Sequence, residues 1–189
     1  MDIINKYRVA DYEIDRMFLE WWSIKSFLDK SLSKDQISKL FEAARWAPSS
    51  SNRQPWRFIY SSTGVNRDKM NSILNDGNRV WASKAPLLIF VYAMVETKEG
   101  SNNYTAQFDT GAAWMSLAIQ ARIMGLYTHA MGGIDRQKAL NLIKSNNHKF
   151  QSICAIAVGY VDESGLEDNP EEIPNQRISI NNFSEQLWC

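Results

Sequence analysis

Between Ala47 and Phe58 the chain reads Pro-Ser-Ser-Ser-Asn-Arg-Gln-Pro-Trp-Arg, a run of hydroxyl, amide and guanidinium groups enclosed by two prolines. Pro48 lacks a backbone donor and has a fixed φ, so a helix arriving from the N-terminal side must end before it. Ser49, Ser50, Ser51 and Asn52 then offer short polar side chains and free N–H groups. A turn this rich in donors suits the edge of a heteroaromatic ring or an anion, although the same composition describes an ordinary solvated loop. Two shorter stretches carry similar ambiguity. Lys25, two residues after Ser23, is either a ligand contact or a solvated charge. Gly132 and Gly133 either admit a ligand close to the backbone or make a tight turn before a helix capped by Asp135.

Other chemistries find little material. His129 and His148 are too few for a His-rich metal site, so no metal is expected, and His129 reads as a partly buried, satisfied histidine. Cys154 and Cys189 stand far apart without a Cys-x-x-Cys grouping, which indicates neither zinc nor a disulfide framework and makes Cys154 a core residue. Gly-x-Gly-x-x-Gly, P-loop, His-Glu-x-x-His and Gly-x-Ser-x-Gly motifs are all absent.

The elements that must position these groups follow from periodicity and punctuation. Ser33 and Gln36 form a capping box, and Ile37, Leu40, Phe41 and Ala44 recur at helical spacing, which predicts a helix over 34–47. Strands are expected over 56–60, 85–93, 127–131 and 153–160. Between the first two, a helical crossover over 68–74 should close on the turn residues 75–78. Residues 109–124 are small or apolar on nearly every face and stop at Gly125, as befits a helix in a core or a dimer interface. Asp135 should cap a helix carrying Leu140, Leu142 and Ile143. Residues 162–174 read as a surface excursion, and the tail ending in Leu187 and Trp188 should pack on its own domain or on a partner chain. Alternating strands and helices indicate an α+β sheet flanked by helices.

The 189 residues suit one domain, spanning 1–189, and 44% of them are hydrophobic, enough for a substantial core. Lys plus Arg and Asp plus Glu both number 21, so no net field draws the chain to nucleic acid or to an anionic membrane. No apolar run approaches membrane-spanning length and the N-terminus lacks an apolar h-region, so a cytoplasmic location is expected.

Residues 42–58, Glu-Ala-Ala-Arg-Trp-Ala-Pro-Ser-Ser-Ser-Asn-Arg-Gln-Pro-Trp-Arg-Phe, resemble the FMN-dependent nitroreductases, whose pattern is Glu-Ala-Ala, two residues, Ala-Pro-Ser, then Asn, one residue, Gln-Pro-Trp. Trp21-Trp22-Ser23-Ile24-Lys25-Ser26-Phe27 is similar to that family's Arg-x-Ser-x-Arg/Lys-x-Phe motif, residues 108–118 to its central helix, Met131-Gly132-Gly133-Ile134-Asp135 to its Gly-Gly turn, and Asn175-Gln176-Arg177 to its C-terminal Lys/Arg-x-Arg. The resemblance implies a mostly antiparallel sheet in an intertwined homodimer. It also implies an FMN cofactor, NAD(P)H as donor, and ping-pong delivery to a small electron-poor acceptor such as a nitroaromatic, quinone or activated alkene. A flavin-binding or flavin-handling protein with little turnover is the alternative. No side chain need be a covalent catalyst. Cofactor contacts would come from Trp21, Trp22, Ser23, Lys25, Pro48, Ser49, Ser50, Ser51, Asn52, Gln54, Met131, Gly132, Gly133 and Arg177, with Ser23, Lys25, Gly132, Gly133 and Arg177 from one chain and Ser49, Ser50 and Asn52 from the other. Trp21 stands where relatives have an arginine, and Asn175 where they have a basic residue, so two phosphate-gripping cations of the pattern are missing.

Overall fold

The structure, a computed structural model, describes residues 3–144, 149–167 and 172–187. His148, Trp188, Cys189 and part of the expected surface excursion lie outside them.

Two short helices, α1 (Ile3–Tyr7) and α2 (Met17–Glu20), precede α3 (Lys34–Arg45). The capping box forms as expected: Ser33 Oγ accepts from Gln36 N, and the Gln36 side chain accepts from Ser33 N. The helix stops two residues earlier than the sequence suggests, because Trp46 and Ala47 turn back onto Ala43 and Ala44 ahead of Pro48. After the serine turn come β1 (Trp56–Ser61), α4 (Gly64–Asn71), α5 (Asp76–Ala82), β2 (Leu87–Met94), α6 (Ala106–Ile123), β3 (Tyr127–Met131), α7 (Arg136–Leu140), β4 (Phe150–Gly159) and α8 (Glu163–Glu167).

The strands pair antiparallel throughout in the order β1-β2-β4-β3. This corrects the expected crossover. Neighbouring antiparallel strands β1 and β2 are joined by α4 and α5, and residues 76–78 open α5 instead of closing a turn. Turn-forming residues serve helix N-termini equally well, and here Asn75 N and Asn78 Nδ2 both donate to Gly133 O. β2 is buried along nearly its whole length, with Phe90 and Tyr92 facing one hydrophobic cluster and Ile89 and Val91 the other. Two cores therefore sandwich the sheet. One joins Trp22, Ile24, Met70, Leu74 and Met131; the other joins α3 and α6 through Leu40, Ala44, Ala113, Leu117 and Ala121. Gly125, at φ +74°, ends α6 in the left-handed region as expected. Asp135 caps α7 by accepting from Lys138 N at 3.0 Å, while Leu142 and Ile143 lie beyond its end. β4 begins three residues earlier than expected, and Cys154 within it is half-buried. Among the described residues no helix is long and apolar enough to cross a membrane.

Candidate functional site

The predicted ligand contacts fall into two groups. The first is the turn 49–54, suspended between the end of α3 and the start of β1. Ser51, Asn52 and Gln54 have φ of 50°, 53° and 49°, three non-glycine residues in the left-handed region within four positions. Such a conformation persists only where surrounding contacts over-determine it, and functional loops are where it concentrates. The contacts are present. Gln54 N donates to Ser49 Oγ at 3.0 Å, Gln54 Nε2 donates to Asn52 Oδ1 at 3.1 Å, and Arg53 Nη1 donates to Ser50 Oγ at 3.1 Å. The anchor is Asp109 near the start of α6, which is buried; its Oδ2 accepts from Ser50 N at 3.2 Å and from Thr105 Oγ1 at 3.0 Å. The sequence offered one signal for this role, a lone acid in the first turn of an otherwise apolar helix. Beside the turn, Ser51, Asn52 and Arg53 share a polar cavity of about 410 Å³ with Glu96, Thr97 and Asn103.

The second group gathers at the opposite edge of the sheet, around β3. Residues 21–25 are extended beside it, with Trp22 and Ile24 buried in the core and Ser23 and Lys25 exposed. Trp21 Nε1 donates to Thr128 Oγ1 at 2.9 Å, and its ring meets Trp114 of α6 edge-on. His129 donates from Nδ1 to Ile24 O at 2.8 Å and stacks against Trp81, with ring centroids 4.4 Å apart. Burial above all, with a smaller contribution from the Lys25 charge, lowers the His129 pKa from its ordinary value, against the raising effect of the Ile24 bond and Glu172. Glu172 was expected on a surface excursion. It is instead buried and accepts from the backbone N–H groups of Lys25 and Ser26 and from Ser26 Oγ, locking the Ser23–Lys25 strip to the C-terminal arm.

The two glycines divide in role. A Cβ on Gly132 would meet no atom within 4 Å, so open space lies before it. One on Gly133 would overlap the Asn78 amide of α5, whose Nδ2 donates to Gly133 O at 3.1 Å. A side chain at Gly133 would therefore have to displace the Asn78 amide. Met131 and Trp22 are enclosed by the core, leaving mainly their backbones to face a ligand. Arg177 is exposed and lines, with Arg8, Asp11 and Trp21, a cavity of about 450 Å³ between the N- and C-terminal segments. Arg8 escaped the reading of the sequence because no motif surrounds it. Burial first, and the charge of Arg177 second, lower its pKa from the usual guanidinium value.

The two groups do not meet within one chain. Trp56, just after the serine turn, aligns across β2 with Gln151 of β4, whereas Met131 aligns with Ala155. Three strand spacings of about 4.8 Å and a four-residue offset of about 13 Å separate them by roughly 20 Å. Among the described residues no cluster of His, Cys, Asp and Glu could hold a metal ion.

A model of the nitroreductase family matches residues 19–81. The crystal structure of an FMN-containing oxidoreductase is 34% identical, superposes with a TM-score of 0.87, and is matched over 95% of this chain and 94% of that one. A Bacillus subtilis protein, YdgI, assigned by name as an NAD(P)H nitroreductase, is 22% identical over 169 residues, 71% of this chain and 81% of its own. A protein of Exiguobacterium sibiricum, assigned as a nitroreductase and solved in complex with FMN, is 17% identical with a TM-score of 0.78 over 95% of this chain and 99% of its own; at that identity it speaks for the fold alone.

Proposed function

The chain belongs to the nitroreductase family, and on that footing we propose that it is an FMN-dependent NAD(P)H oxidoreductase working as a homodimer. The observation that carries the two-chain reading is the separation just described. A ring touched by both donor groups must take the 49–54 turn from one chain and the β3-edge group from another. A second observation agrees: the outer face of α6 is apolar and open, with Phe108 82% and Ile123 66% exposed. Monomers rarely leave such side chains in water at the two ends of one helix face.

The residues present suit a flavin. Ser23 and Lys25 share one exposed strip, the open space before Gly132 admits a flat ring against the backbone, and Arg177 brings a guanidinium to the C-terminal arm. When bound, FMN would supply the redox chemistry between NAD(P)H and an electron-poor acceptor such as a nitroaromatic, quinone or activated alkene, in ping-pong order. The chain's own work is electrostatic and steric. Lys25, held in place by Glu172 through its backbone, stabilises negative charge developing on a nearby ring. The strained turn presents preformed hydroxyl and amide groups whose ordering cost is met during folding. His129 holds residues 21–25 against β3 and stays neutral near pH 7. A cytoplasmic setting supplies the donor.

The test is reconstitution of purified protein with FMN, gel filtration, and anaerobic titration with NADH and NADPH. Flavin that co-elutes with a dimer and bleaches on titration is expected; no retained flavin at excess FMN overturns the reading.

A further inference from the structure

Glu172 is a charged residue where a neutral one would serve. It is 8% exposed, and it accepts from Lys25 N, from Ser26 N at 2.8 Å and from Ser26 Oγ at 3.0 Å. Burying a carboxylate costs far more than burying an amide, and a backbone N–H needs no ion as its partner, so the charge calls for an explanation. Lys25 N and Ser26 N both reach Oε1, whereas successive N–H groups of an extended strand alternate in direction; the backbone is therefore bent at Lys25 around the carboxylate. From the other side, His129 Nδ1 donates to Ile24 O at 2.8 Å. Ile24 O and Lys25 N–H belong to one peptide unit, which is thus gripped at both ends, by β3 and by the C-terminal arm. The units beside it are fixed as well. Ile24 is fully buried, and Ser26 O accepts from Asp162 N at 3.0 Å. Trp81 backs the clamp, its ring centroid 4.4 Å from that of His129 and 6.3 Å from that of Phe27. What emerges from this scaffold is the exposed side chain of Lys25.

We propose that Glu172 and His129 are positioning residues that set the reduction potential of the bound ring by fixing where the Lys25 ammonium stands. The inference rests on the function proposed above. An ammonium held at one place beside a ring stabilises the charge that reduction adds, and one that swings into water is screened and does so weakly. Neither residue is catalytic, because each acts through the backbone of residues 24–26. The sign of the effect separates this role from plain electrostatics. Acting through space, the negative charge of Glu172 disfavours a reduced, anionic ring, so its removal would make reduction easier. Acting through Lys25, its removal makes reduction harder.

The test is the midpoint potential of FMN bound to wild type, Glu172→Gln, Lys25→Met and the double variant. Glutamine keeps the shape and one acceptor oxygen but gives up the charge and the second acceptor. In Glu172→Gln, reduced FMN should lose about 10-fold in binding relative to oxidised FMN, which lowers the midpoint by about 30 mV for a two-electron couple. Lys25→Met should shift it the same way, and the double variant no further than Lys25→Met alone. A midpoint that rises, or that falls equally with and without Lys25, means that Glu172 acts by its own charge or by general loosening, and overturns the proposal. His129→Phe keeps a ring against Trp81, removes the donor to Ile24 O and changes no charge near pH 7. It too should lower the midpoint, it decides the matter if Glu172→Gln does not fold, and an unchanged midpoint in it overturns the clamp. Flavin that NAD(P)H still bleaches in these variants leaves the proposed function standing whichever way the midpoint moves. If wild type retains no flavin, the proposed function fails and the potential-setting role with it, and amide exchange decides the clamp separately. Lys25 and Ser26 N–H groups that exchange slowly in wild type and fast in Glu172→Gln uphold the clamp, and equal exchange in the two overturns it.

Discussion

If each flavin site is assembled from two chains, it can be broken in one chain and mended by another. Two blocking substitutions follow from the geometry. Gly132→Trp places a bulky ring in space that a Cβ enters without meeting any atom within 4 Å, so the fold should accept it. Ser50→Trp projects from the serine turn at a residue outside the left-handed region, and costs only the exposed bond from Arg53. Each variant alone should form a folded dimer with both sites blocked. Co-expressed with different tags, random pairing makes about half of the dimers mixed, and each mixed dimer has one doubly blocked and one intact site, so about one quarter of the wild-type flavin is recovered. Isolated mixed dimers should hold about one flavin per two chains. The assay is flavin absorbance against protein concentration after gel filtration, which does not depend on turnover. A site formed within one chain predicts no recovery on mixing, and flavin content of purified mixed dimers no higher than that of either parent would refute the two-chain reasoning. The separation of about 20 Å between the two groups is what makes this outcome decisive, since no side-chain movement spans it.

Asp109→Ala removes the acceptor of Ser50 N and of the Thr105 hydroxyl, so stability should fall by about 2–3 kcal/mol in urea unfolding, with FMN affinity falling as the turn relaxes. Gly125→Ala forces a side chain into φ +74° at the end of α6, and should cost about 1–2 kcal/mol while leaving flavin affinity unchanged. His129 has a folded-state pKa below its ordinary 6.5, so the unfolded chain binds its proton first. The stability it confers is present above pH 6.5 and declines as pH falls from there toward the lower folded-state value; the difference in urea midpoint between wild type and His129→Gln should shrink between pH 7.5 and pH 5.

Much of this architecture was legible from local chemistry. The Ser33–Gln36 box, the Gly125 stop, the Asp135 cap and the run 127–131 each depend on near neighbours, and each appears where the pattern put it. Elements governed by distant contacts were less so. Residues 75–78 look like a turn in isolation, yet Asn75 N bonds Gly133 O and Asn78 fills the place beside Gly133, so a helix forms there on instruction from another part of the chain. Glu172 belonged by composition to the surface, yet it is buried against the N–H groups of Lys25 and Ser26 and the Ser26 hydroxyl, 146 or more residues away in sequence. Arg8 illustrates the limit most plainly: its partners are carbonyl oxygens, which every residue possesses, and no spacing rule announces them.

The same contrast bears on the charge between the N- and C-terminal segments. A motif position specifies a side chain, but what binds an anion is a guanidinium or ammonium at a place in space, and several backbone routes lead to that place. Trp21 has taken its indole to Thr128 and Trp114, which strengthens the seam between β3 and α6 and forfeits the cation. The stretch after α1 lies against both Trp21 and Asn175, pinned by the mutual bonds of Val9 and Gln176 as well as by Arg8 itself. Those bonds tie the N-terminal segment to the C-terminal arm that carries Arg177. Phe183 and Leu187 extend exposed from that same arm. A partner chain seated on them would bear on the same strip of backbone that holds Arg8 and Arg177.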